Sequence, residues 1–222
     1  MSRDSTVTET EDSAGRDSLM RLLGGGASAV DASAPPVAFG LVWVLSDRSI
    51  AASGITAIAV GALIGVWRLS RGARPLAVLF SLLAVLVGAL IALRTGQAAD
   101  FYLIRVASNA VSGLAWMVSI AVRWPLLGLV VGTLLGQRTR WRRDPELLRA
   151  YSRASWVWVG QYLTRLAVFV PLWAANAVVA LSVAQVVLTW PLVVLCVATS
   201  WWVLRRTLPA DHPGIRHART AR

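Results

Sequence analysis

The sequence predicts an all-α fold: a polytopic membrane bundle of about six transmembrane helices, with one or two short re-entrant or interfacial helices. Three observations carry that prediction. From Leu166 to Leu204 there is no charged residue, a run long enough at ~1.5 Å per residue to cross a ~30 Å hydrocarbon core nearly twice. Charged residues make up 15% of the chain and apolar ones 56%, with a mean hydropathy of +0.62, whereas soluble domains carry about 25% charge. Trp201 and Trp202 stand directly before Arg205 and Arg206, an aromatic belt and basic stop of the kind found where a helix leaves lipid. The 222 residues suit one such bundle and leave no room for a second folded domain.

Taken in order, residues 1–20 are polar, rich in Ser and Thr, and carry Glu9, Glu11, Asp12 and Asp17. Without a basic start and an early apolar region they do not read as a secretory signal, and a disordered cytoplasmic tail is expected. The transmembrane domain is expected over 21–206. Its opening is broken by Gly24-Gly25-Gly26 and Pro35-Pro36. Proline removes a helix donor and biases the preceding residue away from the α region, so a short piece near 20–30 and a first span near 32–46 are expected. The second span, Ser49 to Trp67, contains Gly61 and Gly65 one turn apart, which lets a neighbouring helix approach closely. Pro75 to Leu93 supplies the third, and Phe101 to Val122 the fourth.

The apolar segment from Pro125 to Gly136 is too short to cross and reads as re-entrant or interfacial. The interval 137–153 is strongly polar, with Arg138, Arg140, Arg142, Arg143, Arg149 and Arg153. Within it, Asp144-Pro145 has the form of an N-cap followed by proline at the first helical position. The helix begun there runs into the fifth span, near 154–178, with Pro171 as an expected kink. A hairpin is expected at Ala180–Gln185 and the sixth span near 185–204. Residues 207–222 form a basic cytoplasmic tail.

Charge tests that count. With six spans and both termini on one side, eighteen arginines collect there and three, Arg48, Arg94 and Arg105, fall opposite or just inside. That is a positive-inside bias, and it places both termini in the cytoplasm of a bacterial inner membrane. The net charge of +11 is therefore a topology signal and not a nucleic-acid footprint, because it is dealt out between apolar runs instead of clustering on one face.

The chain contains no lysine, which excludes a P-loop lysine, a Schiff base and a Ser-Lys dyad. Its single cysteine, Cys196, and its two histidines, both in the C-terminal tail, make an internal disulfide or a cysteine zinc cluster impossible. No His-Glu-x-x-His or Gly-x-Ser-x-Gly is present. No catalytic residue, metal or cofactor is implied, and the chain does not read as an enzyme.

Arg165 is the sharpest feature. It falls near mid-membrane, where a charged arginine costs ~2.5–3.5 kcal/mol on insertion scales. Such a residue faces the bundle interior and a partner. Asp31 and Asp100 are the available acids, with Arg105 and Asn109 close to the start of the fourth span and Gln161 and Asn176 as further hydrogen-bonding groups. The network of Arg165, Asp31, Asp100, Arg105 and Asn109 reads either as a site for an ion or headgroup, or as a packing device with an arginine that snorkels to the interface. Asp31 itself fits a broken-helix site of the transporter kind or, more plainly, the cap of the first span. Arg138, Arg140, Arg142 and Arg143 are candidate contacts to anionic lipid, at ~1 kcal/mol each near the surface, or simply set topology. Partners are therefore the bilayer, anionic headgroups, and other membrane proteins or a second copy of the chain.

Three stretches carry a family likeness: Leu22-Leu-Gly-Gly-Gly-Ala-Ser-Ala-Val-Asp31-Ala-Ser-Ala-Pro35-Pro36, Leu93-Arg-Thr-Gly-Gln-Ala-Ala-Asp100-Phe101 and Arg140-Trp-Arg-Arg-Asp-Pro-Glu-Leu-Leu-Arg-Ala-Tyr151. They resemble an uncharacterised family of actinobacterial membrane proteins, over about residues 20–208. More distantly, the order of elements is similar to intracellular septation protein A (the YciB family), through Asp31 and Pro35, Asp100 and Phe101, and Pro125 and Leu126. That resemblance implies a role in envelope integrity or septum-linked synthesis, without an established activity and without catalytic residues to transfer. The long acidic N-terminal tail and the basic 137–153 interval depart from it. The expected function is support of envelope assembly or septation through protein and lipid contacts. The alternative is a small transporter or channel subunit built around an Arg165–acid network.

Overall fold

A computed structural model of the chain describes residues 25–135 and 139–208, with 25–32 and 140 as backbone only. The tail expected over 1–20, the tail expected over 207–222 from residue 209 on, and Arg138 lie outside the described residues. The described residues are helical throughout: α1 (Gly25–Leu45), α2 (Ile50–Ser70), α3 (Pro75–Thr95), α4 (Leu103–Ala121), α5 (Leu126–Leu134), α6 (Pro145–Ala174), α7 (Val178–Val187) and α8 (Trp190–Thr207). Among the described residues four stretches are long and apolar enough to cross a membrane: Ile50–Ser70, Pro75–Thr95, Ala98–Ala121 and Val178–Thr207. The chain divides into two compact units, one up to Leu86 and one from Val87 on.

In the first unit, α1 runs unbroken through Pro35 and Pro36, where the sequence predicts a break. Each proline forfeits one ladder bond, but the Pro35 ring is accommodated against α2, where a Cβ on Gly61 would lie 3.8 Å from its Cγ. Because the helix begins at Gly25, Asp31 is inside it and is not its N-cap, the role that the sequence allows it. The chain reverses through Asp47 and Arg48, both at positive φ, and Ser49 caps α2 by accepting from the Ala52 N–H. The buried face of α2 is made of small residues, Ser53, Gly54, Ala57, Gly61 and Gly65, while Ile55 and Leu63 are 69% and 71% exposed. That is the reverse of a soluble helix and the pattern expected where lipid is the solvent and close packing is the adhesive. Val78 and Leu82 of α3 seat against Gly65, where a Cβ would stand 3.0 Å from Val78.

In the second unit α6 is the hub: α4, α5, α7 and α8 all pack on it. Asp144 caps its start, accepting from the Glu146 and Leu147 N–H groups at 3.0 and 3.3 Å, with Pro145 at the first position. Pro171 sits in its last turns, and the helix continues to Ala174. The interval that reads as one polar loop also carries a buried apolar face. Trp141, Leu147, Ala150 and Tyr151 are fully buried and form a cluster with Leu127, Ala154 and Leu204. The Trp141 ring meets Tyr151 edge-on at 5.6 Å and lies so close to Gly128 that a Cβ there would come within 2.9 Å of it.

The hairpin expected at Ala180–Gln185 is helical, as α7. The chain turns before it, at Ala175–Ala177, with Asn176 in the left-handed region (φ 51°), and breaks again at Leu188–Thr189. Ser182 and Gln185, the polar residues that make the stretch look like a turn, are buried and bonded to α4 and its lead-in turn.

Candidate functional site

A 3₁₀ turn, Ala98–Tyr102, leads into α4 and is buried over its whole length. From it one face continues down α4 as Tyr102, Arg105, Asn109, Gly113 and Trp116, at the three- and four-residue steps that align side chains on a helix. Its contacts with α6 fix the register of the two helices. The Ala99 N–H donates to Asn176 Oδ1 (3.0 Å) just beyond the end of α6, and Trp173 Nε1 donates to Asp100 Oδ1 (2.8 Å). Further along, Gly113 faces Tyr162, with room for no more than a tight Cβ at 3.1 Å, and Trp116 stacks on Trp158 with centroids 5.2 Å apart. Numbers rise on one helix as they fall on the other, so α4 and α6 are antiparallel and Asn109 falls level with Arg165.

On the other flank α7 runs parallel to the start of α4. Tyr102 Oη and Ser182 Oγ are 2.6 Å apart, and three residues on, Arg105 Nε donates to Gln185 Oε1 at 2.9 Å. Where α7 ends, its carbonyls turn toward α6: Arg165 Nη2 donates to Leu188 O (3.0 Å) and Thr189 O (3.3 Å). A break in a helix leaves carbonyls without intrahelical donors, and here the guanidinium fills that role. A polar column therefore runs inside the unit, from Asp100 through Arg105 and Asn109 to Arg165.

Sequence reasoning names Asp100, Arg105, Asn109 and Arg165: Asp100 and Asn109 are buried, and Arg105 and Arg165 are half-buried. Asp100 is engaged by Trp173, however, and Arg165 by backbone carbonyls; among the described residues the two do not form an ion pair. The side chain of Asp31 lies outside the described residues. Tyr102, Trp173, Ser182 and Gln185 escape sequence reasoning, although the 102–105–109–113–116 spacing is there to be read.

Several polar atoms of the column are buried without a hydrogen-bond partner among the described residues: Asn109 Nδ2, Gln161 Oε1, Arg165 Nε and Gln185 Nε2. Asn109, Gln161 and Gln185 are 3%, 3% and 1% exposed. Each such atom costs ~1–3 kcal/mol if it stays unsatisfied.

At the opposite end of α6, Arg142 and Arg143 are exposed, and Arg142 lies over the Trp124 ring at 4.2 Å. Arg140 is described in its backbone alone and Arg138 not at all. Tyr151, within the apolar cluster, has its phenol pushed up to about 12, first by burial and then by the negative charge of Asp144.

Among the described residues the protein is all helical, with four helices long and apolar enough to span a bilayer and many large apolar side chains exposed, and these are the features of a membrane protein. It belongs to a family described as proteins of unknown function (DUF3159), whose model matches residues 23–211. No curated protein and no solved structure matches it.

Proposed function

We propose that this chain is a six-span protein of the bacterial inner membrane, with both termini cytoplasmic, that supports envelope assembly or septation through contacts with lipid headgroups and membrane-protein partners. The spans are α1, α2, α3, α4, α6 from Ala154 onward and the α7–α8 pair. At ~14 Å, α5 is too short to cross and lies at the interface. Catalysis is not part of this role.

The observation that supports it is a set of arginines laid on tryptophans at helix ends. Arg71 covers Trp67 at 4.6 Å, Arg142 covers Trp124 at 4.2 Å, Arg205 covers Trp201 at 4.7 Å and Arg206 covers Trp202 at 5.3 Å. In the six-span topology every one of these pairs falls on the cytoplasmic side. Tryptophan sits at headgroup depth, and a guanidinium held over its face is fixed where anionic lipid presents its charge. The resemblance to septation-type proteins supplies the process. A C-terminal fluorescent fusion in dividing cells tests it. Enrichment at the septum, lost when Arg142, Arg143, Arg149 and Arg153 are replaced by glutamine, is the expected result, and an even distribution would refute the septation role.

The polar column favours a second reading, a small transporter or channel subunit. Flux of a small ion that disappears in Arg165→Gln while the protein remains folded would select it over the first.

A further inference from the structure

The polar column carries two guanidiniums, and among its buried atoms without a partner in the described residues donors outnumber acceptors. Arg105 holds Gln185, and Arg165 holds the carbonyls of Leu188 and Thr189 about one turn further along the same stretch. Asp100, the one carboxylate of the column among the described residues, is already engaged by Trp173. Three buried N–H donors on this line, Asn109 Nδ2, Gln185 Nε2 and Arg165 Nε, meet no acceptor among the described residues. They come from three different helices, so no single rotamer change satisfies them together. Arg105 and Asn109 are one turn apart on α4, Gln161 and Arg165 one turn apart on α6, and the antiparallel register brings Asn109 level with Arg165. Gln185 is held in place by the bond its own oxygen accepts from Arg105 Nε, which leaves its amide nitrogen as the free end.

Positive charge buried in an apolar surround is retained where something of opposite sign meets it. A set of donors with no acceptor has the complementary need, a ligand with several acceptor oxygens. One orphan on the line has the reverse polarity: Gln161 Oε1 lacks a donor. An anion that keeps a proton satisfies both kinds of group at once.

We propose that the C-terminal unit binds a phosphomonoester-class oxyanion between Arg105 of α4 and Arg165 of α6. Asn109 and Gln185 donate to its oxygens, and Gln161 accepts from its remaining proton. Inorganic phosphate and the headgroup of phosphatidic acid share this chemistry. The site rests on the membrane reading alone, that lipid surrounds the unit, and it stands whether or not the chain acts at the septum.

The test uses the full chain in phosphatidylcholine nanodiscs. The readout is the temperature at which Cys196, buried in α8, becomes reactive toward a thiol dye. One arm titrates inorganic phosphate against chloride at matched ionic strength. The other replaces part of the lipid with phosphatidic acid. A saturable rise with phosphate identifies a soluble anion, and a rise with phosphatidic acid only identifies a lipid headgroup. In either case Arg105→Gln and Arg165→Gln shift the midpoint by at least about tenfold, since each removes a charged donor. Asn109→Leu abolishes the response while raising the transition of the unliganded protein, because it replaces an orphan donor by an apolar group. It decides the matter if an arginine variant does not fold. Arg94→Gln, at an exposed arginine outside the column, keeps the wild-type midpoint. No saturable rise in either arm overturns the proposal. So does a wild-type midpoint in Asn109→Leu, or a loss in Arg94→Gln equal to that in Arg105→Gln, which would make the response one of surface charge.

Discussion

The two ends of α6 are built on opposite principles. At its start, Trp141, Leu147, Ala150 and Tyr151 make an apolar cluster with a satisfied cap, in which the Tyr151 phenol oxygen lacks a partner among the described residues. Further along, Arg165 and Gln161 belong to a column in which buried donors outnumber their partners. The first arrangement is what packing alone produces, with apolar groups in contact and a side chain capping the helix start. The second is costly as it stands and makes sense where a ligand completes it. One helix therefore carries a rigid foundation at one end and a polar site at the other. Substitutions that empty or overfill the foundation should lower stability and leave anion response alone, and substitutions in the column should change the anion response.

The largest expected effect is in the foundation. Trp141→Ala empties a fully buried site and should cost ~3–5 kcal/mol, read as a loss of unfolding free energy in a denaturant titration, with an unchanged phosphate midpoint. A shifted midpoint would mean that the two ends are coupled. Gly128→Ala places a Cβ 2.9 Å from the Trp141 ring and should cost ~1–3 kcal/mol by overpacking. Gly160, on the same hub helix, has open space where a Cβ would go, with no neighbouring atom within 4 Å. Gly160→Ala should therefore stabilise by up to ~1 kcal/mol through helix propensity. Thermal unfolding of the pair separates space from propensity.

Asp144→Ala removes the side chain that accepts from Glu146 and Leu147 and should cost ~1 kcal/mol, visible as faster amide exchange in the first turn of α6. The smallest effect at neutral pH belongs to Tyr151→Phe. The Tyr151 phenol oxygen is buried without a hydrogen-bond partner among the described residues, so its loss should be neutral or slightly favourable. Its pKa is raised to about 12 from an unfolded value of about 10, so the folded state holds the proton more tightly. That contribution is fully present below pH ~10 and is lost as pH rises through about 12. Wild type should lose stability over that alkaline window and Tyr151→Phe should lose less. Parallel pH–stability curves for the two proteins would refute the assignment.

Hydropathy and capping determined much of this molecule by themselves. An uncharged run must become helix in lipid because every backbone group has to be satisfied within the chain, so the long apolar helices were legible from the spacing of charges. Asp144-Pro145 was legible because a cap and a first-turn proline act within three residues of one another. What is local can be read locally. Tertiary structure decided the rest. Pro35-Pro36 sit inside a helix, with the Pro35 ring packed beside Gly61 of α2, a neighbour that the local sequence does not announce. Ser182 and Gln185 mimic a turn in sequence but are the buried partners of Tyr102 and Arg105, residues 80 positions away. Arg165 was visible as a charge in an apolar run, yet its acceptors are carbonyls released by the break at Leu188–Thr189, which no composition reveals. Hydrogen-bond partners in a bundle depend on which helix faces meet, and that is settled by packing.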